Sequence, residues 1–163
     1  MTIFENIERA RRLYDEFGEG TFSDLGLDGL LSQYRQEIAN TQKMMVDLGI
    51  STACAHCDAH TPGGSCCGNG IEEWYDEVLL LMNMLLGRDI PTKRRSNRDC
   101  LFLGEKGCLL IARNYFCVNY LCQKIWKQLD TGALSMMQGQ AGRELRLAWL
   151  IEERIRKAIG GQR

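Results

Sequence analysis

Eight cysteines are the residues best suited to chemistry: Cys54, Cys57, Cys66, Cys67, Cys100, Cys108, Cys117 and Cys122. All lie between positions 54 and 122, and the flanks hold none. Cys54 and Cys57 have a chelate spacing, in which two thiolates reach one ion from a tight turn. Nearby glycines let backbone N–H groups approach the sulfurs and stabilise thiolate charge. Cys66 and Cys67 are adjacent, and neighbouring side chains diverge. They therefore feed two different sites, or one ligates while the other packs. Eight thiolates divide into two four-coordinate Cys₄ sites, or into one site with four spare cysteines.

Three blander readings fit less well. Buried cysteines acting as small hydrophobes would not gather in the polar segment STACAHCDAHTPGGSCCGNG. A disulfide framework calls for a secretion signal, and a thioredoxin-like CxxC calls for a surrounding βαβ pattern. Neither is visible. The first cysteine segment also holds the only histidines, His56 and His60, either of which could replace a thiolate, and Asp58, a candidate acceptor behind a ligand. Lys93, Arg94, Arg95 and Arg98 form a basic run before Cys100. They suit an anionic group, although a solvated loop is the simpler account. The methionines and Trp74, Trp126 and Trp149 read as packing residues.

Helices must position these groups. Ile3, Ile7, Ala10, Tyr14 and Phe17 recur at helical spacing, Thr2 and Glu5 form a capping box, and Gly18 stops the run. A second helix is expected from about Leu25 to Leu48, with Gly49 as its C-cap. Residues 50–70 read as a loop. Asn69 and Glu72 then cap a third helix, apolar nearly all round at its C-terminal end and closed by Gly87. Cys100 to Cys108 reads as a turn or small hairpin, and much of Leu109 to Leu129 as helix. Ser135 and Gln138 suggest a further capping box, before a last helix lined by Ala148, Ile151, Ile155, Ala158 and Ile159.

The 163 residues suit one domain, 1–163, and are enough to bury a core without a metal. A net charge of −1 argues against general binding to nucleic acid or anionic membranes. Charges interrupt the N-terminal segment, so no signal peptide is expected. The longest apolar stretch, Val78 to Leu86, is too short to span a bilayer. A cytoplasmic protein is expected, whose reduced thiols favour metal or redox chemistry.

The cysteine pattern resembles the YkgJ-like cysteine-cluster family, a zinc- or iron-chelating domain with a CxxCxxxCC-type motif. Cys54, Cys57, Cys66 and Cys67 correspond to that motif, and Cys100-Leu101-Phe102-Leu103, Gly107-Cys108, Arg113 to Cys117, and Cys122 to its second half. The resemblance covers about 54–122. The gap from Cys57 to Cys66 is longer than the family's, and Asn114 stands where the family has proline. The resemblance implies metal chelation by all eight cysteines. Arg113 is a cofactor-binding residue in this reading, its guanidinium offsetting the charge of a thiolate cluster.

The expectation is an all-α protein: a small helical bundle carrying irregular cysteine-rich metal-binding loops. Its partner would be a metal ion or cluster, an iron–sulfur cluster in preference to Zn²⁺. It would act as a structural or redox module. The alternatives are a metal-dependent enzyme, methyltransferase-like or redox, and a metal carrier.

Overall fold

A computed structural model describes residues 1–61 and 65–160. The elements in order are α1 (Ile3–Asp24), α2 (Leu27–Asp47), α3 (Ile50–His60), a 3₁₀ turn (Ile71–Trp74), α4 (Glu77–Leu85), β1 (Leu103–Gly104), β2 (Gly107–Cys108), α5 (Tyr115–Asn119), α6 (Gln123–Gln128) and α7 (Thr131–Gly160). The all-α expectation holds, with a two-residue antiparallel hairpin as the only described sheet. No helix among the described residues is long and apolar enough to cross a membrane.

The capping signals explain several boundaries. At the start of α1 the Thr2 N–H donates to Glu5 Oε2 at 2.6 Å, and the Glu5 N–H to Thr2 Oγ1 at 3.3 Å. Gly18 breaks the helical path at φ 61°, and the chain continues helically beyond it to Asp24. Gly49, at φ 71°, closes α2 in the left-handed conformation that glycine adopts without penalty.

Two expected caps are displaced. Asp76, not Asn69, caps α4: its Oδ1 accepts from Val78 N at 3.1 Å and Leu79 N at 2.9 Å. A β-region Asp beside two free amides is the stronger cap, and Asn69 instead donates its side-chain amide to the Asn97 carbonyl. The last helix begins at Thr131, with Asp130 accepting from Ala133 N at 2.8 Å, so Ser135 and Gln138 lie inside it.

The expected loop over 50–70 is also corrected. Its first half is α3, so Cys54 and Cys57 stand on a regular helix. Alanines at 53, 55 and 59 favour that state, and Gly49 lets a new helix start directly after α2. Residues 62–64 of the expected loop lie outside the described residues. From Leu109 to Leu129 only α5 and α6 are helical.

α2 lies along α7, and α1 along α4, around one large cluster that includes Ile7, Leu27, Tyr34, Leu80, Leu81, Phe102 and Ile151. A smaller cluster of Ile50, Ile125 and Met137 seats α3 and α6. Two buried polar side chains tie the irregular segments to this frame. Asn83, wholly buried on α4, donates to the Leu79 and Ala112 carbonyls at 3.0 and 2.9 Å. Its Oδ1 accepts from Ile111 N at 2.8 Å and Ala112 N at 2.9 Å. Glu72, also wholly buried, pairs with Arg94 and accepts from Gly70 N at 3.0 Å.

Burial pushes the Glu72 carboxyl up, but the Arg94 guanidinium and the surrounding amides overcome this and hold it below its ordinary range. A depressed carboxyl contributes stability above its unfolded pKa and loses it as pH falls through the folded one. In Glu72→Gln the urea midpoint should fall, for a loss of about 3 kcal/mol at neutral pH, and the gap to wild type should narrow in acid below the ordinary carboxylate range. Asn83→Leu strands the amides of Ile111 and Ala112 and should lose about 3 kcal/mol at every pH. Equal stability of Asn83→Leu and wild type in urea would remove this role.

Candidate thiol site

The cysteines come from α3 (Cys54 and Cys57), the segment after it (Cys66 and Cys67), the segment before β1 (Cys100), β2 (Cys108), α5 (Cys117) and the N-cap of α6 (Cys122). All eight are free thiols. The strand-like run through Gly68 pairs with Asp99, and the Cys100 N–H donates to the Cys67 carbonyl at 2.9 Å. Asn114 sets the next segment: its Oδ1 caps α5 by accepting from Phe116 N at 3.0 Å, and its amide donates to the Trp74 carbonyl at 2.9 Å. Asparagine thus supplies a cap here that a proline could not.

The vicinal pair faces two ways. Around Cys67 lie Cys117, Cys108 and Cys100, whose negative charge would raise its thiol. Around Cys54 lie Cys66, Cys122 and Cys57, which would raise that one. Cys67 thus lies among Cys100, Cys108 and Cys117, whereas the charge of Cys66 is felt both at Cys54 and at Cys117. Interaction between the two neighbouring thiols pushes Cys66 up and Cys67 down from the usual thiol range.

Cys54, Cys100, Cys108 and Cys117 are held in their neutral form. Burial is the leading cause that pushes up Cys54, Cys108 and Cys117, and it takes Cys100 up to about 12. Cys108 is an exposed residue whose sulfur nevertheless turns inward, toward Tyr75 and the Leu110 amide. The buried Tyr75 hydroxyl accepts from Asn114 N at 3.0 Å and donates to Cys117 Sγ at 3.8 Å. Cys57 Sγ and Thr61 Oγ1 share a hydrogen bond at 3.2 Å.

These shared neighbourhoods do not form a coordination site. Among the described residues, no group of three or more histidine, cysteine, aspartate or glutamate side chains is placed to hold a metal ion. This overturns the expected metal-binding loops, the iron–sulfur cluster or Zn²⁺, the metal partner, and the metal-protein, metal-enzyme and metal-carrier readings. It also removes the basis of the resemblance to the YkgJ-like family. The physical reason is that Cys54 and Cys57 are fixed on a helix, while Cys57 Sγ is hydrogen-bonded with Thr61 and Cys117 Sγ accepts from Tyr75. His56 and His60 stack on each other at 4.3 Å on the exposed face of α3, and a ring nitrogen of His60 bonds the His56 carbonyl at 3.0 Å.

The basic run is structural where its partners are visible. Arg94 pairs with Glu72 and donates to the Asp99 carbonyl at 2.9 Å. Arg95 joins Asp99 at 2.8 Å to Asp58 at 2.9 Å, clamping α3 onto the segment before Cys100. Asp58 also accepts from Ser65 Oγ at 3.0 Å, so it is a clamp residue and not a solvated acid. Tyr75 and Glu72 escaped sequence reasoning as site residues. Their only signal was a polar residue inside a run that reads as one helix.

No family model matches the chain, and neither a curated protein nor a solved structure matches it.

Peptide-resolved alkylation with iodoacetamide should follow this order. The Cys67 rate should level off at lower pH than that of Cys54, and Cys100 should react only in strong alkali, because the thiolate is the nucleophile. Tyr75→Phe should raise the pH at which Cys117 reacts and lower stability by about 1–3 kcal/mol, since the Asn114 amide loses its acceptor. An unmoved Cys117 profile would show that the hydroxyl does not act on that sulfur.

Proposed function

We propose that this chain, working as one domain over residues 1–163, is a thiol–disulfide exchange module of the reducing cytoplasm. Its site residues are the eight cysteines. The carrying observation is the vicinal pair Cys66–Cys67 beside Cys100, Cys108 and Cys117, in which the neighbouring thiol holds Cys67 below its usual range. Cys67 is partly exposed and Cys66 exposed, so a substrate can reach the pair.

The substrate class is an organic disulfide, RS–SR. The Cys67 thiolate attacks one sulfur, a Cys67–SR bond forms, the RS–SR bond breaks, and RS⁻ leaves and takes a proton from water. Cys117 then gives up its proton and attacks the Cys67 sulfur. A Cys67–Cys117 disulfide forms and the second RS⁻ leaves, collecting that proton. Two protein thiols are oxidised, and one disulfide is reduced to two thiols. Tyr75 steadies the Cys117 thiolate as it forms, and Arg113 offsets the negative charge at Cys108 and Cys117.

The test uses protein purified without oxygen and exposed to oxidised glutathione. Release of two equivalents of reduced glutathione, with a Cys67–Cys117 crosslink found by peptide mapping, is expected. Cys67→Ser should abolish the crosslink, and Cys117→Ser should stop the reaction at a mixed disulfide on Cys67. Glutathione attached only at Cys54, or a purified chain with its thiols masked by stoichiometric metal, would overturn the proposal.

A further inference from the structure

Three aromatic rings stand beside the thiols with no part in disulfide exchange. Trp74 lies 4.8 Å from Phe116, ring centre to ring centre, with their planes at 81°. Phe116 lies 4.9 Å from Tyr120 with their planes at 21°. Trp74 is 46% exposed and Tyr120 44%, while Phe116, which touches both, is half-buried.

The backbone that fixes this ladder also fixes Cys117. The Asn114 amide donates to the Trp74 carbonyl at 2.9 Å, and Asn114 Oδ1 accepts from Phe116 N at 3.0 Å. The Tyr120 N–H donates to the Phe116 carbonyl at 2.8 Å. Cys117 follows Phe116 on α5, and Tyr75, next to Trp74, donates its hydroxyl to the Cys117 sulfur at 3.8 Å. The ring-bearing backbone is therefore set before any partner arrives. Aromatic side chains held in this way give a large contact area at a small entropic cost, so they dominate binding surfaces.

Charge and ring orientation define the partner. From Lys106 to Leu129 every charged residue is basic. Lys124 and Lys127 stand exposed on α6, just beyond Tyr120, and neither is ion-paired with a described residue. Glu73, the acid beside Trp74, is committed to the Ile3 N–H at 2.9 Å. The surface thus complements an acidic chain. The plane of Trp74 stands across those of Phe116 and Tyr120. Such a corner suits proline rings and apolar side chains, which pack on a face and against an edge, as in the aromatic-lined grooves that take extended peptides. A single strand of nucleic acid calls instead for bases stacked on successive ring faces.

We propose that Trp74, Phe116 and Tyr120, with Lys124 and Lys127, dock an extended acidic polypeptide segment, so that the substrate of the thiol site is a disulfide carried by a protein. The proposal rests on the thiol reading above for the disulfide, whereas docking itself needs no exchange. The docked chain supplies the RS–SR bond to Cys67, and bonds and protons balance as already written.

The probe is a short peptide of aspartate, proline and cysteine. Its disulfide-linked dimer reports exchange, and the same peptide with serine for cysteine reports binding by calorimetry. Full-length wild type should bind the serine peptide. Trp74→Ala and Tyr120→Ala should each weaken that binding and slow reduction of the dimer about tenfold. Their rate with oxidised glutathione should stay at the wild-type value. Lys124→Glu combined with Lys127→Glu should weaken binding as well, and so should lysine in place of aspartate in the probe.

No binding of the serine peptide to wild type overturns the proposal, as does equal binding by wild type and the variants. A thymidine oligonucleotide that displaces the peptide and binds more tightly would give the surface to nucleic acid. A wild-type dimer in sedimentation that both ring variants dissociate would give it to a second copy of the chain. Either result also overturns the proposal. Should one ring variant lose its circular dichroism, the other ring variant and the lysine pair still decide. A peptide bound through the ladder while neither disulfide is reduced would sink the thiol reading and leave docking in place. Glutathione reduced as expected, with peptide binding indifferent to the ladder, would sink docking alone.

Discussion

The irregular half of this molecule depends on the side chain of Asn83. It projects from the apolar helix α4 and makes four hydrogen bonds, three of them to the backbone at Ile111 and Ala112. A segment with no regular structure cannot satisfy its own amides, and burying them unpaired costs more than a typical hydrogen bond returns. One carboxamide removes that cost and sets the path of the chain on either side. Arg113 and Asn114 follow directly, and Asn114 in turn caps the short helix that carries Cys117. Glu72 serves the segment before Cys100 in a similar way, holding Arg94 and the amides of the turn above it.

These polar ties place thiols where hydrogen bonding separates their chemistry. Eight cysteines with one intrinsic acidity become unequal through burial and donors. Cys100 is pushed far up by desolvation, while Cys67 is drawn down by the thiol beside it. Cys117 and Cys108 are raised by burial yet relieved in part by Tyr75 and Arg113. Such differences matter for exchange, because attack requires a thiolate and resolution requires a nearby thiol that stays protonated until it is needed. The adjacency of Cys66 and Cys67 is central. Their interaction raises Cys66 and lowers Cys67, which lies among Cys100, Cys108 and Cys117.

Stability and chemistry pull in different directions at Arg113. A well-packed apolar pair in its place and that of Glu144 would suit the core better. Thr41 and Gln140 donate elsewhere and the Tyr34 hydroxyl has no partner among the described residues, so these neighbours leave both charges under-bonded.

The sequence by itself determined the helical class, the capping box at Thr2, the stops at Gly49 and Gly87, the hairpin before Cys108 and the apolar stripe of the last helix. Each follows from local periodicity or from one residue's backbone preference, and such forces act within a few positions of the chain. Tertiary structure decided what the cysteines face. The spacing of Cys54 and Cys57 looks the same in a metal turn and on a helix face, and the contact of α3 with α2, α6 and Arg95 adds to the local alanine preference in selecting the helix. The break at Tyr75 was hidden in a run that reads as one helix, since its causes are the distant partners of Tyr75 and Glu72. Thiol acidity was likewise beyond the sequence: it depends on burial and on donors brought in from remote segments, which local pattern does not record.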